Sequence, residues 1–351
     1  CPGDEVKVAC LNLSLYGTRD AAQNWSNTYS EHLQSIGFSR GKASPCNFWH
    51  ESRGIALTVH GDDYTSTGTA YDLRWLDGQL KSKFEVKTKV LGPESGQVRE
   101  LRVLNRVLAW TDLGVSYEAD QRHAELFVQE LGLATAKPVT TPGSREDVEH
   151  QHKQNDAEDK LLEPKDATLY RALTARLNYL AQDRVELLYA AKECSRRMAT
   201  PRTGDWFILK RVGRYLAGSS RVVQLLRWQV MPKQVDTHVD SDWAGCKETR
   251  RSTSGGVVRL GSHVIKAWSS TQATIALSSG EAELFAMVKG AAHTLGIMSM
   301  LCDMGMVMQG RVGCDSSAAI GIASRLGLGK ARHLKVQYLW IQERIRDGEL
   351  T

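Results

Sequence analysis

A strictly alternating run, Val235-Asp236-Thr237-His238-Val239-Asp240, constrains this chain more than any other segment. Period two puts Val235, Thr237 and Val239 on one face, so the run reads as a strand with one buried side that ends at Asp240. Asp242 is a rival for the strand-end position, but the alternation stops at Asp240. Further on, Glu283 heads a long helical pattern in Ser278-Ser279-Gly280-Glu281-Ala282-Glu283-Leu284. Asp315 follows Arg311-Val312-Gly313-Cys314 and precedes Ser316-Ser317-Ala318-Ala319-Ile320. Strand-end Asp, helix-start Glu and strand-end Asp form a pattern that can gather three carboxylates at one edge of a sheet. Hard Mg²⁺ ions take such oxygen donors, and two ions so held can clamp both oxygens of a phosphoryl transfer. The plainer reading makes the same acids caps and dipole partners at the ends of elements, and Glu281 and Glu283 fit it.

The chain has 351 residues, enough for two or three domains and a sizeable core. A formal net charge of +5 permits a nucleic-acid partner without demanding one. Seven cysteines with no C-x-x-C pair give no zinc spacing and read as thiols of a reduced, intracellular compartment. The most apolar stretch, residues 284–308, is interrupted by Lys289, His293 and Asp303, and reads as a buried or half-buried helix with no membrane role. The start, Cys1-Pro2-Gly3-Asp4-Glu5, has neither an initiator Met nor a signal sequence and reads as an internal cut in a longer polypeptide.

Other segments carry local signals. Trp25, Tyr29, Leu33 and Ile36 share a helical face closed by Gly37. Residues 54–60 read as a strand entering the turn Gly61-Asp62-Asp63-Tyr64, with Thr65-Ser66-Thr67 beyond, a hairpin with acids at its tip. Leu73, Leu76, Leu80 and Phe84 mark one face of the next helix. Residues 143–166 are polar and nearly free of apolar anchors, which reads as a linker or surface loop. Helical patterning then resumes through Leu173, Leu177, Leu180, Leu187 and Leu188, and again over residues 206–216.

Several blocks together resemble one family. Asn12-Leu13-Ser14-Leu15-Tyr16-Gly17, running on to Trp25, resembles the "LYG" block of copia-type retrotransposon Pol polyproteins. Gly37-Phe38-Ser39 followed by Asp62-Asp63 is similar to the family's "GF…YVDD" segment. Residues 210–218 resemble "KRILRYLKGT". Asp240-Ser241-Asp242-Trp243-Ala244-Gly245, Arg251-Ser252-Thr253-Ser254-Gly255, the stretch from Trp268 to Glu283, and Cys314-Asp315 resemble the family's ribonuclease H blocks. Jointly ordered blocks are specific where each alone is weak.

The resemblance implies an α+β architecture in parts. Residues 1–142 would be an incomplete reverse transcriptase palm and thumb, 143–166 a polar linker, 167–232 a helical connection, and 233–351 a ribonuclease H-like mixed five-stranded sheet flanked by helices. It implies Asp240, Glu283 and Asp315 as ligands of Mg²⁺ or Mn²⁺ at a hybrid-cleaving site, and Asp62 and Asp63 as a polymerase-like pair. Two departures stand out. The pair follows His60-Gly61 in place of Tyr-Val, and the family's first polymerase aspartate belongs upstream of the "LYG" block. The "HIDI" block that carries the fourth nuclease carboxylate is His333-Leu334-Lys335-Val336 here, which implies a weakened site with a cation beside the metals. In the other reading Lys335 points to solvent and the three acids keep weak metal binding.

Arg196, Arg197, Arg202, Lys210, Arg211 and Arg214 form a basic cluster over two helices. It reads either as a solvated face or as a surface that holds the phosphates of an RNA/DNA hybrid or other nucleic acid. Trp243 and Trp268 read as core or strand-packing residues. His238, His263 and His333 have no metal spacing. Three classes of function remain: a residual hybrid nuclease with an inactive polymerase part, a catalytically dead nucleic-acid-binding module, and a non-functional retroelement remnant.

Overall fold

The structure is a computed structural model that describes residues 14–15, 17–143, 159–329 and 332–351. Asn12, Leu13 and Tyr16 of the first family-like block, and residues 144–158 of the expected linker, lie outside the described residues. The fold is mixed α/β, with three four-stranded sheets among the described residues. It divides into two compact units. One holds the described residues up to Thr88 together with Gly296–Met308, and the other Lys89–Leu295 with Gln309–Thr351.

In the first unit, α1 (Ala21–Ser35) carries the apolar face expected from Trp25, Tyr29 and Leu33. It ends where Gly37 takes φ +102°, a conformation open to a residue without Cβ. Strands β1 (Ser39–Arg40), β2 (Asn47–His50), β3 (Ile55–His60) and β4 (Asp63–Thr67) form an antiparallel sheet in chain order. The β3–β4 hairpin turns on Gly61-Asp62, with His60 opposite Asp63 and Gly61 at φ +63°. Helix α2 (Ala70–Lys83) starts at Thr69, whose hydroxyl accepts from the Asp72 N–H, and buries Leu76 and Leu80. These meet Tyr29, Leu33, Phe48, Ile55 and Leu57 in one core.

The second unit begins with a meander of β5 (Glu100–Val103), β6 (Arg106–Thr111) and β7 (Gly114–Glu118), followed by helix α3 (Arg122–Glu130). Among the described residues, three helices follow: α4 (Pro164–Leu180), α5 (Leu188–Ser195) and α6 (Trp206–Gly218). Their apolar faces close on Phe127, Tyr170, Leu173, Leu177, Leu209 and Val212. Strand β8 (Val223–Arg227) returns to pair antiparallel with β7, so a strand from the stretch expected as helical connection completes the meander. The described end of the polar stretch is anchored: Asp159 Oδ1 accepts from the Gly204 N–H at 2.9 Å, and Leu161 bridges to Arg202.

The last sheet contains β9 (Gln234–Ser241), β10 (Thr253–Leu260), β11 (His263–Thr271) and β12 (Gln309–Gly313), in spatial order β11-β10-β9-β12. The first three are antiparallel neighbours, and β12 runs parallel to β9. A parallel neighbour needs a crossover, and the long helix α7 (Ser279–Asp303) lies between β11 and β12 in the chain. Where a fifth strand was expected, the described residues show one parallel bridge, Gly310 to Leu350. Short helices α8 (Ser317–Ala323) and α9 (Trp340–Arg346) follow β12. By length and composition α7 could cross a membrane, yet it buries Ala282, Leu284, Ala286, Met287 and Ala291 within the protein.

Gly290 sets how close α7 lies to the sheet. A Cβ there would stand 2.5 Å from Val239 Cγ1 and 3.3 Å from Thr237 Cγ2. One turn later Thr294 and Thr237 share a buried hydroxyl hydrogen bond of 2.6 Å. Replacing a mid-helix glycine by alanine ordinarily stabilises by about 1 kcal/mol. Here overpacking against a stiff β-branched side chain opposes that gain and wins. Gly290→Ala is expected to lower stability by about 1–3 kcal/mol, and Val239→Ala in the same background to return part of the loss. Urea unfolding of the two single variants and the double variant checks this; additive effects would show that the two residues do not collide.

Candidate functional site

The alternation of β9 holds in three dimensions. Val235, Thr237 and Val239 are buried, and Asp240 is exposed at the strand end. Because β9 and β12 are parallel, their C-terminal ends lie at the same edge, and the residues after β12 are Cys314 and Asp315. The first turns of α7 reach that edge. Glu283 is 7% exposed; its Oε1 accepts from the Ser241 N–H at 3.0 Å, and its Oε2 lies 3.5 Å from the donating Cys314 thiol. Donor atoms of Glu283, Cys314 and Asp315 all lie within 4.8 Å of one another. Asp315 immediately precedes Ser316, whose Oγ accepts from the Ala319 N–H and starts α8.

Charge is costly here. Burial raises the Glu283 carboxyl above the usual glutamate range, and the Asp240 charge adds to the rise; hydrogen bonds from Ser241 and Cys314 pull it back only in part. Burial also pushes the Cys314 thiol up to about 11. The neighbouring acids play other parts. Glu281 Oε2 accepts from the Leu277 N–H at 2.9 Å and Oε1 contacts His333 Nε2 at 2.6 Å, so Glu281 ties the helix start to the segment after α8. Asp242 Oδ1 accepts from the Thr253 N–H at 2.6 Å and braces the β9–β10 loop. Lys335 is exposed, and among the described residues no ion pair joins it to Asp240, Glu283 or Asp315.

Two carboxylates, Glu283 and Asp315, stand beside the Cys314 thiol and could hold a hard divalent ion such as Mg²⁺ or Mn²⁺ through their oxygens; Asp240 is not among these grouped donors, and reaches Glu283 only as a neighbouring charge that raises its carboxyl. Sequence reasoning passed over Cys314, whose only signal was its place directly before Asp315. In the first unit, Asp62 and Asp63 are exposed at the β3–β4 turn, and the Trp25 indole N–H donates to the Gly61 carbonyl at 2.7 Å. Among the described residues, these two acids belong to no cluster of three candidate metal donors.

Most of the basic cluster has partners inside the protein. Arg196 pairs with Glu193 at 3.0 Å, and Arg197 with Glu248 at 2.7 Å. Arg211 and Arg214 donate to the carbonyls of Thr141 and Lys137. Arg202 donates to the carbonyl of Asp159, and Lys210 is exposed. Trp268 is buried against His293, as a packing residue would be. Trp243 corrects the sequence reading: it is 57% exposed, outside any core, with its indole N–H bonded to the Ala276 carbonyl at 3.2 Å. The alternation that defines β9 ends before it, so no periodicity reported its direction.

No protein-family model matches the chain. It is 28% identical over 357 residues to a retrovirus-related Pol polyprotein from transposon RE2 of Arabidopsis thaliana, an alignment covering 98% of this chain and 23% of that protein. It is also 30% identical over 239 residues to the uncharacterized mitochondrial protein AtMg00810 of the same plant, covering 68% of this chain and 92% of that one. Its homologues over nearly the whole chain, at 26–28% identity, are copia-type retrotransposon Pol polyproteins. It spans about a quarter of the length of the Pol polyproteins it matches. Among solved structures, a foamy viral protease-reverse transcriptase in complex with RNA/DNA hybrid is similar at TM-score 0.47 and 10% identity, covering 96% of this chain and 38% of that one.

Glu283 offers a direct measurement. A carboxyl with a raised folded value binds its proton more tightly folded than unfolded. Its ionisation therefore costs stability as pH rises through the ordinary glutamate range and then through the folded value. Relative to the parent, Glu283→Gln should become progressively more favourable between pH 4 and pH 8 in chelator. Asp240→Asn should bring the Glu283 titration down toward the ordinary range. Denaturant unfolding at both pH values and carboxyl NMR titration check this; an unmoved Glu283 titration in Asp240→Asn would show that the two charges do not interact.

Proposed function

We propose that this chain carries a weak, metal-dependent nuclease site for RNA/DNA hybrids at Asp240, Glu283 and Asp315. The observation that carries the reading is the buried Glu283, bonded to Ser241 at the end of one strand and adjoining Cys314 and Asp315 at the end of its parallel neighbour. With Mg²⁺ or Mn²⁺ bound, the metal would supply Lewis acidity and an activated water for in-line attack on a phosphodiester. The protein's own part is to hold Glu283 in place through the Ser241 N–H, next to Asp315, with Asp240 at the end of the same strand as Ser241. Lys335 stands where the family carries a further carboxylate, which removes a ligand and adds a positive charge. The hairpin acids Asp62 and Asp63 we assign to an ancestral polymerase site, on the strength of the family-like block and its altered His60-Gly61.

A second reading, a nucleic-acid binder without catalysis, is favoured by Lys335 itself. One experiment separates the two. The purified chain is incubated with labelled hybrid in Mg²⁺, beside Asp240→Asn, Asp315→Asn and Lys335→Asp. Slow cleavage by the parent, loss in both Asn variants, and a gain of about tenfold or more in Lys335→Asp, equivalent to about 1.4 kcal/mol of barrier, are expected. The gain should vanish when Lys335→Asp is combined with Asp240→Asn. No cleavage by parent or Lys335→Asp, with hybrid still bound, would leave the binding reading. Robust parental cleavage untouched by Lys335→Asp would show that this lysine does not act on the site.

A further inference from the structure

The loop between β9 and β10 is built to hold one large side chain out into solvent. Asp242 exchanges two bonds with Thr253: its N–H donates to the Thr253 carbonyl at 3.1 Å and its carboxylate accepts from the Thr253 N–H. The Ala244 N–H donates to Ser252 Oγ at 3.0 Å, which sets the two arms of the loop side by side. Further bonds run from the Cys246 N–H to the Arg251 carbonyl and from the Arg250 N–H to the Cys246 carbonyl. Two non-glycine residues, Ala244 at φ +53° and Arg250 at φ +55°, take left-handed backbone. Such residues cost on the order of 1 kcal/mol each and persist only where their surroundings over-determine them. The result is Trp243, exposed and pinned through its indole N–H to Ala276, with Ile275 and Leu277 exposed on either side of that anchor.

An ordered aromatic ring in water, next to two exposed aliphatic side chains, is a surface made for contact. What it contacts is indicated by charge. Arg250 and Arg251 on the same loop are exposed, and among the described residues neither is paired with a carboxylate. A single nucleic-acid strand offers what this arrangement takes, since ring faces and phosphates alternate along it. Trp243 follows Asp240 by three residues, which limits their backbone separation to about 11 Å. We propose that Trp243 packs against a base or sugar of the nucleic-acid strand lying beside the carboxylate site, while Arg250 and Arg251 hold phosphates of that strand. The inference rests on the reading that this end of the sheet faces nucleic acid, but it needs no cleavage.

Binding of the full chain to a labelled single-stranded oligonucleotide in chelator, with RNA/DNA hybrid as the comparison, tests it, since no hydrolysis can intervene. Trp243→Ala should weaken binding by roughly tenfold, in line with the loss of one base–aromatic contact. Trp243→Phe keeps a ring and loses the N–H bond to Ala276, so it should bind within about threefold of the parent if stacking is the role. Replacing Arg250 and Arg251 together by Ala should weaken binding and reduce the salt slope by about two. Thermal melts of each variant run alongside. The proposal is overturned if Trp243→Ala binds like the parent. It is equally overturned if Trp243→Phe fails as badly as Trp243→Ala with the same loss of melting temperature, which would make the ring a structural tie. A parent that binds no nucleic acid but self-associates through Trp243, read by sedimentation, overturns it in favour of a second copy. Failure of cleavage in Mg²⁺ sinks only the nuclease reading and leaves this result intact.

Discussion

The missing side chain at Gly290 lets α7 lie against β9 closely enough for its first turns to reach the strand ends. Glu283 precedes Gly290 by seven residues, and Thr294 follows it by four, so all three share one face of a helix with 3.6 residues per turn. That face meets β9 in register. Thr294 bonds Thr237, Gly290 sits over Val239 and Thr237, and Glu283 meets the Ser241 N–H. Moving the helix outward to admit a Cβ would strain the threonine pair and the carboxylate contact together. The site is thus held by packing well away from it.

The sheet topology does the rest. An antiparallel β12 would have carried Cys314 and Asp315 to the opposite edge from Asp240. The parallel pairing, made by the long crossover through α7, brings both strand ends and the helix start to one place. The cost is visible in Glu283, buried beside a like charge and shifted upward for both reasons. A carboxyl raised by burial and a like charge is a property expected of a place kept for a ligand. The helix cap next door shows the contrast, because Glu281 is satisfied by a backbone N–H and by His333.

Much of this was legible in the residues. The alternation of Val235, Thr237 and Val239 gave the buried face of β9, and Gly61 gave the hairpin turn, because both signals are local. The position of Glu283 in the first turns of a helix was equally local, but whether it capped that helix or faced a strand was not. Only its bond to Ser241, 42 residues away in sequence, decides between those roles. Strand β8 was missed for a related reason. Its partner β7 lies more than a hundred residues earlier, and a short run such as Val223-Gln224-Leu225-Leu226-Arg227 carries no periodic mark of that pairing. Trp243 lay just beyond a periodic element, where spacing says nothing about direction.

Charge illustrates the difference between counting and placing. The arginines that stood out in the sequence sit on helices, where clustering is easy to see. Long side chains on a helix also reach neighbouring chain ends, and Arg211 and Arg214 use that reach to bond the carbonyls of Thr141 and Lys137. A phosphate at those positions would have to replace bonds already made, so its gain would be the difference between two good partners. Arg250 and Arg251 sit on a loop whose backbone is bonded to itself, which leaves their guanidinium groups without carboxylate partners among the described residues. Affinity for a polyanion comes from cations that exchange water and counterions for phosphate, not from those already holding the fold together. On that argument the small positive charge of the whole chain is a weak guide, and the two loop arginines beside Trp243 outweigh the larger cluster on the helices.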